Sequence, residues 1–119
     1  VLGALRDRGL LVTLAGDRAL RFTPPLVCSI SAETIEDFGA MARDVSVPGV
    51  DAIEINISCP TREPGGGNFA MNETHTYNVV KLCRSMSDKP LIAKLSPNAG
   101  DIMAVAEAAE QASTSAIAR

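Results

Sequence analysis

The stretch that decides the fold spans residues 52–57 and reads Ala-Ile-Glu-Ile-Asn-Ile. Two further apolar runs of similar length flank it along the chain, at residues 25–30 and residues 90–95. Each run has the length of a buried β-strand. Their near-continuous apolarity favours parallel pairing, because the strands of a parallel sheet are covered on both faces. The three runs therefore predict adjacent parallel strands in an α/β protein.

Segments with helical periodicity separate these strands. Thr34 and Asp37 have the spacing of a capping box at the start of an amphipathic segment. Asn72 is a predicted N-cap for a second helix, and an alanine-rich third helix is predicted after Asp101. Alternating strands and helices require right-handed crossovers in a parallel sheet. The pattern is consistent with either a doubly wound open sheet or a (β/α)₈ barrel.

The length of the chain leaves both architectures open. A complete barrel takes roughly 250 residues, so 119 residues would form about half of one. A five-stranded flavodoxin-like sheet would nearly fit the same length. Near the start, residues 10–14 could form a strand, but Gly16, Asp17, Arg18 and Arg21 interrupt any further repeat. Residues 115–118 are predicted to begin another strand.

Composition and charge exclude several functional classes. Eleven Lys and Arg against fourteen Asp and Glu give a net charge of −3 without a basic stripe, which argues against nucleic-acid binding. No apolar run approaches the roughly 18 residues that cross a bilayer, so a cytoplasmic protein is expected. The spacing of Cys28, Cys59 and Cys83 fits neither a disulfide framework nor a metal site, and His75 is expected at the surface.

Polar side chains follow the predicted strands at their carboxyl ends, where either architecture binds ligands. Ser58 and Cys59 come directly after the second strand, and Lys94 lies in the third. Apolar neighbours predict that Lys94 points into an apolar layer, where a charge is costly without a partner. That partner is either a core carboxylate such as Glu54 or an anionic ligand.

Cys59 precedes a loop that carries three consecutive glycines, at residues 65–67. The loop has no apolar periodicity, so it is predicted to act as a flexible lid. An exposed thiol at such a position can act as nucleophile or general base, although free cysteines are commonly buried and inert. The glycines do not indicate a phosphate-binding loop, because no Lys-Ser or Lys-Thr pair follows them.

The two polar motifs together resemble a known family. Residues 56–60, Asn-Ile-Ser-Cys-Pro, and residues 94–98, Lys-Leu-Ser-Pro-Asn, resemble the dihydroorotate dehydrogenases, particularly class 1B. The resemblance extends over roughly residues 25–112. It implies that residues 1–119 form one partial domain, about half of an FMN-binding (β/α)₈ barrel. The related flavin domain of dihydropyrimidine dehydrogenase shares much of the pattern and remains an alternative.

The resemblance implies roles for the residues that match the family motifs. Asn56 would contact both FMN and the substrate, and Lys94 would contact the flavin. Cys59 would be the catalytic base, with Ser58 as a possible proton relay.

Two positions depart from the family pattern. Thr61 stands where the family usually has an asparagine that binds the substrate, and it offers one hydroxyl in place of an amide. Ser29 stands where many relatives have an asparagine that contacts the flavin. We expect Thr61 to contact the substrate and Ser29 to contact the flavin.

The implied reaction is the FMN-dependent oxidation of dihydroorotate to orotate in de novo pyrimidine (UMP) biosynthesis. The base would remove a proton from C5 while a hydride passes from C6 to the flavin. Class 1B resemblance implies an oligomer with an iron–sulfur and FAD subunit and NAD as electron acceptor. A noncatalytic flavodoxin-like binding module is the alternative from another functional class.

Overall fold

A computed structural model describes residues 11–14, 20–23, 25–58 and 69–114. A three-residue 3₁₀ helix at Phe69–Met71 precedes the second α-helix. In chain order the other elements are β1 (Leu11–Leu14), β2 (Leu20–Thr23), β3 (Val27–Ile30), α1 (Ile35–Asp44), β4 (Ala52–Asn56), α2 (Glu73–Met86), β5 (Leu91–Lys94) and α3 (Ile102–Thr114).

Strands β3, β4 and β5 form a parallel sheet with β4 in the centre. Their register pairs Ile53 of β4 with Cys28 on one side and with Leu91 on the other. The prediction of three adjacent parallel strands alternating with helices is confirmed. This α/β arrangement is that of a segment of a (β/α)₈ barrel.

Side-chain oxygens bind the first backbone N–H groups of all three helices. The Thr34 hydroxyl accepts a hydrogen bond from the Asp37 N–H at 3.1 Å, which confirms the predicted cap of α1. Asn72 and Asp101 each accept hydrogen bonds from the second and third residues that follow them, at 2.8–3.1 Å. These caps fix the residue at which each helix starts.

The helices pack on one face of the sheet, and the isoleucines of β4 and its C-terminal extension form the centre of the core. Ile53, Ile55 and Ile57 are fully buried there. The buried helix residues in the same cluster are Phe38, Ala42, Val79, Val80, Cys83, Ala109 and Ala112. The predicted core position of Cys83 is therefore confirmed.

The opposite face of the sheet is open to solvent among the described residues. Val27 in β3 is 45% exposed and Ile92 in β5 is 47% exposed. Both residues alternate in their strands with side chains that point toward the helices. This open face corresponds to the interior of a closed barrel.

An antiparallel hairpin precedes the parallel sheet. Its strands β1 and β2 pair Leu11 with Thr23 and Leu14 with Leu20. The strand predicted near residues 10–14 is confirmed, but the interpretation of Arg21 as an interruption is wrong, because Arg21 lies within β2. The alternation Leu-Arg-Phe-Thr over residues 20–23 is itself typical of a strand. The strand predicted at residues 115–118 lies outside the described residues.

Replacing Gly39 with alanine is expected to destabilise the protein. A Cβ atom at this buried position of α1 would lie 2.8 Å from the Cγ and Cδ2 atoms of Leu82 in α2. Alanine normally favours a helix by about 1 kcal/mol over glycine. Overpacking instead typically costs about 1–3 kcal/mol. We therefore expect Gly39→Ala to lower the free energy of unfolding, measured by denaturant titration of a complete barrel that contains this segment.

Gly100→Ala is the matched control for this substitution. A Cβ atom there would meet nothing within 4 Å. Alanine is thus expected to leave stability unchanged or to raise it by about 0.4–1 kcal/mol. A Gly39→Ala protein as stable as the Gly100→Ala protein would contradict the close helix contact.

Cys83 is expected to resist alkylation in the folded protein. Burial raises the pKa of its thiol from 9.0 to about 12, and the sulfur lies 3.6 Å from the carbonyl oxygen of Phe38. Between these pKa values the folded state keeps a proton that the unfolded state has lost. The contribution of Cys83 to stability should therefore be fully present below pH 9 and fall as the pH rises toward 12.

Iodoacetamide labelling followed by peptide mass spectrometry checks the accessibility of Cys83. Partly buried Cys28 is the internal comparison. Cys83→Ala should cost about 1 kcal/mol of stability, because a small buried group is lost. The alkaline loss of stability should be weaker in this variant. Labelling of native Cys83 as fast as in denaturant would show that the thiol is not in the core.

The 119-residue chain studied alone is expected to aggregate or to unfold without a sharp transition. In the described parallel sheet, β3 and β5 are edge strands, and the open face carries exposed Val27 and Ile92. Unpaired edges and apolar patches of this kind promote association. Calorimetry of the dilute chain is the measurement, and a sharp two-state transition of a monomer would contradict this expectation.

Candidate active site

Polar side chains from three strands meet on the face of the sheet that no described helix covers. Side chains alternate along β4, so the isoleucines point to the helices while Glu54 and Asn56 lie on the other face. The register places Ser29 beside Glu54 and Lys94 beside Asn56. Ser58 follows β4 directly. We refer to Ser29, Glu54, Asn56, Ser58 and Lys94 as the polar cluster.

Glu54 contacts side chains from both neighbouring strands. The Ser29 hydroxyl donates a hydrogen bond of 2.7 Å to Oε1 of Glu54. The Nζ atom of Lys94 lies 4.0 Å from the same oxygen. One carboxylate oxygen on the central strand therefore connects β3 with β5.

Lys94 points away from the apolar core between the sheet and the helices. Its neighbour Ala93 packs toward the core, which leaves the Lys94 side chain on the open face, where it is 46% exposed. One of the two partners predicted for this lysine, the carboxylate of Glu54, lies 4.0 Å from its Nζ atom. In the described chain both side chains of this pair are partly exposed, so the pair contributes only about 0–1 kcal/mol to the stability of this segment. The pair therefore bears more on the position and charge of the ammonium group than on the stability of the fold.

Asn56 and Ser58 form a second contact at the carboxyl end of β4. The Ser58 hydroxyl donates a hydrogen bond of 3.0 Å to Oδ1 of Asn56. This contact orients the Asn56 amide, and its NH₂ group is a donor that a ligand on the open face could use. The polar cluster thus offers an amide, hydroxyl groups and one ammonium group at one edge of the sheet.

Cys59 and Thr61, the predicted base and the predicted substrate contact, lie outside the described residues. The predicted lid at residues 61–68 lies outside them as well. The structure brings Ser29, Asn56, Ser58 and Lys94 to one face, and the roles assigned to all six residues remain predictions.

Ser31 is a buried polar residue beside the carboxyl end of β3 that the sequence patterns did not predict. It directly follows β3, and its Oγ atom is buried without a hydrogen-bond partner among the described residues. An unsatisfied buried hydroxyl costs about 1–3 kcal/mol unless water or a ligand supplies the partner. Its position just after a strand, at the carboxyl end of the sheet, is the signal that could have identified it.

Two further residues named in the sequence analysis do not belong to the polar cluster. Cys28 is partly buried and packs against the core from β3. His75 is half-buried in the first turn of α2, with its ring 6.3 Å from the ring of Phe69 between centroids. Among the helices that the structure describes, none combines the length and apolarity that crossing a membrane requires.

Comparison with known proteins gives a consistent set of relatives. Residues 11–119 match the family described as dihydroorotate dehydrogenase. The catalytic subunit of dihydroorotate dehydrogenase B (NAD(+)) from Thermoanaerobacter sp. (strain X514) is 41% identical over 92 residues, which are 77% of this chain and 30% of that protein. The same subunit from Desulforudis audaxviator (strain MP104C) is 42% identical over 101 residues, 84% of this chain and 33% of the relative.

A third relative, the same subunit from Bacillus cereus (strain AH187), is 36% identical over 93 residues, 77% of this chain and 30% of its own length. The chain thus spans about a third of the length of the curated relatives that it matches. The family match favours the partial barrel over the flavodoxin-like sheet, and it confirms the resemblance of the two motifs. Because the match covers nearly the whole sequence, the chain belongs to the dihydroorotate dehydrogenase family.

Proposed function

We propose that this chain forms part of the FMN and substrate site of an enzyme that oxidises dihydroorotate to orotate in de novo pyrimidine biosynthesis. The observation that supports this most is the polar cluster at the carboxyl ends of three parallel strands. Barrels of this class bind their ligands at that end. The relatives supply the reaction, since they are named as dihydroorotate dehydrogenase catalytic subunits.

The polar groups of the cluster fit the polar edge of a flavin ring. Lys94 provides a half-exposed ammonium, Asn56 an amide NH₂ group, and Ser29 a hydroxyl. When bound, FMN supplies the acceptor for a hydride. The ammonium of Lys94 would stabilise the negative charge that develops near N1 of the ring on reduction, an interaction that is strong in a site from which water is excluded.

Cys59 is assigned the role of general base, which takes the proton from C5 of dihydroorotate. Ser58 precedes it in the chain and carries a hydroxyl that could relay this proton. Asn56 and Thr61 are assigned to the polar groups of the substrate. These assignments rest on the motif at residues 56–60 and on the need for a proton acceptor facing the substrate.

The proposed electron acceptor is a separate subunit. The relatives are named as catalytic subunits of an NAD(+)-type enzyme, which supports a second subunit for electron transfer. We assign to that subunit an iron–sulfur centre and FAD, with NAD as the final acceptor. The assembly is proposed to be an oligomer that acts in the cytoplasm.

Cys59→Ala in a complete enzyme that contains this segment should leave FMN bound, because Lys94 and Asn56 remain. It should slow the reduction of the flavin by dihydroorotate by about 10²–10⁴-fold, the usual contribution of a general base. Anaerobic single-turnover bleaching of the flavin absorbance measures this step directly. Cys59→Ser should recover part of the rate at raised pH, because a hydroxyl can also relay the proton. Raised pH is needed because a hydroxyl ionises far less readily than a thiol.

Cys28→Ala is the matched control, because this thiol packs toward the helices and away from the polar cluster. It should reduce its flavin at the rate of the parent enzyme. If Cys59→Ala does the same, the thiol is not the base. Comparison of the dihydroorotate and orotate pair with the dihydrouracil and uracil pair separates the proposed activity from that of a dihydropyrimidine dehydrogenase.

A further inference from the structure

We propose that Glu54 is a positioning residue that orients Ser29, and that its negative charge beside Lys94 limits how strongly the site favours reduced flavin over oxidised flavin. The inference rests on the proposed function, since it concerns the same cofactor site. It adds a residue for which the motif resemblance implied no role.

The geometry for this role is a single oxygen shared between two strands. Oε1 of Glu54 accepts the Ser29 hydrogen bond at 2.7 Å and lies 4.0 Å from Nζ of Lys94. Both partners are predicted flavin contacts, and they reach Glu54 from opposite sides of β4. The Glu54 side chain is 28% exposed, less than the 46% of Lys94, so the carboxylate is the more enclosed member of the pair.

The hydrogen bond also determines what Ser29 can offer a ligand. Its hydroxyl proton points to Glu54, so its oxygen lone pairs are the part that remains for the flavin. Ser29 would then act as an acceptor toward a ring N–H group. An uncharged partner in place of the carboxylate would weaken this orientation.

The charge of Glu54 opposes the effect of Lys94 on the flavin. A carboxylate beside the ammonium offsets part of its positive potential, and its own negative charge disfavours an anionic reduced ring nearby. Removing that charge while keeping the size of the side chain should therefore shift the equilibrium toward reduced flavin. A role in stability alone would leave this equilibrium unchanged.

The test is Glu54→Gln in a complete FMN-loaded enzyme, measured by anaerobic reductive titration against a reference dye. We expect the ratio of reduced to oxidised flavin at a given potential to rise about tenfold, which is a shift of about 30 mV for a two-electron couple. Glu107→Gln is the matched control, since it removes the same charge from an exposed position on α3. It should leave the potential unchanged.

Each outcome of this experiment bears on the inference. If both variants bind FMN and titrate at the same potential, Glu54 has no such role and the proposed function stands. If the parent protein does not take up FMN, the proposed function fails and the inference fails with it. If Glu54→Gln does not fold, Glu54→Asp replaces it, because this variant keeps the charge but moves it away from Lys94. For Glu54→Asp, a shift toward reduced flavin smaller than tenfold would support the inference, and no shift would overturn it.

Discussion

The structure depends on the alternation of side chains along β4. On one face of this central strand, Ile53 and Ile55 are fully buried against the helices; on the other, Glu54 and Asn56 belong to the polar cluster. A shift of one residue in the register would exchange the two sets and place charge in the core. Burial of the isoleucines thus determines which polar groups reach the open face, so folding and assembly of the site have the same cause.

The site is assembled by strand pairing between residues far apart in the chain. Ser29, Glu54 and Lys94 lie on three different strands, and only the order β3-β4-β5 brings them together. The helix caps contribute by fixing the residue at which each helix starts. Asn72 and Asp101 carry out this function for α2 and α3 through two backbone hydrogen bonds each.

Much of this arrangement could be predicted from local sequence. Short-range spacing predicts the helix caps at Thr34 and Asn72 and the buried position of Cys83. Each depends only on residues within one or two turns of the same helix. The environment of Lys94 could not be predicted in this way, because apolar residues flank it on both sides and the face it occupies depends on the whole sheet.

The contact of Glu54 with both Ser29 and Lys94 could not be predicted from local sequence either. It requires knowing which strands flank β4 and in which register, and neither is encoded in one segment. The hairpin strand β2 was missed for a different reason, since its alternating pattern was interpreted as a break. The roles of Cys59 and Thr61 are predicted only from the resemblance of the surrounding motif, and both residues lie outside the described ones.

The close approach of Gly39 to Leu82 has a consequence for how the sequence can change over evolution. The Leu82 side chain of α2 fills the space beside Gly39 of α1. Its Cγ and Cδ2 atoms lie 2.8 Å from the position that a Cβ atom of residue 39 would take. A larger residue at 39 is better tolerated once the residue at 82 has become smaller, because otherwise the Leu82 side chain must shift. The two positions are therefore epistatic, and the order of substitutions matters: a change at 82 opens a path that a change at 39 alone would close.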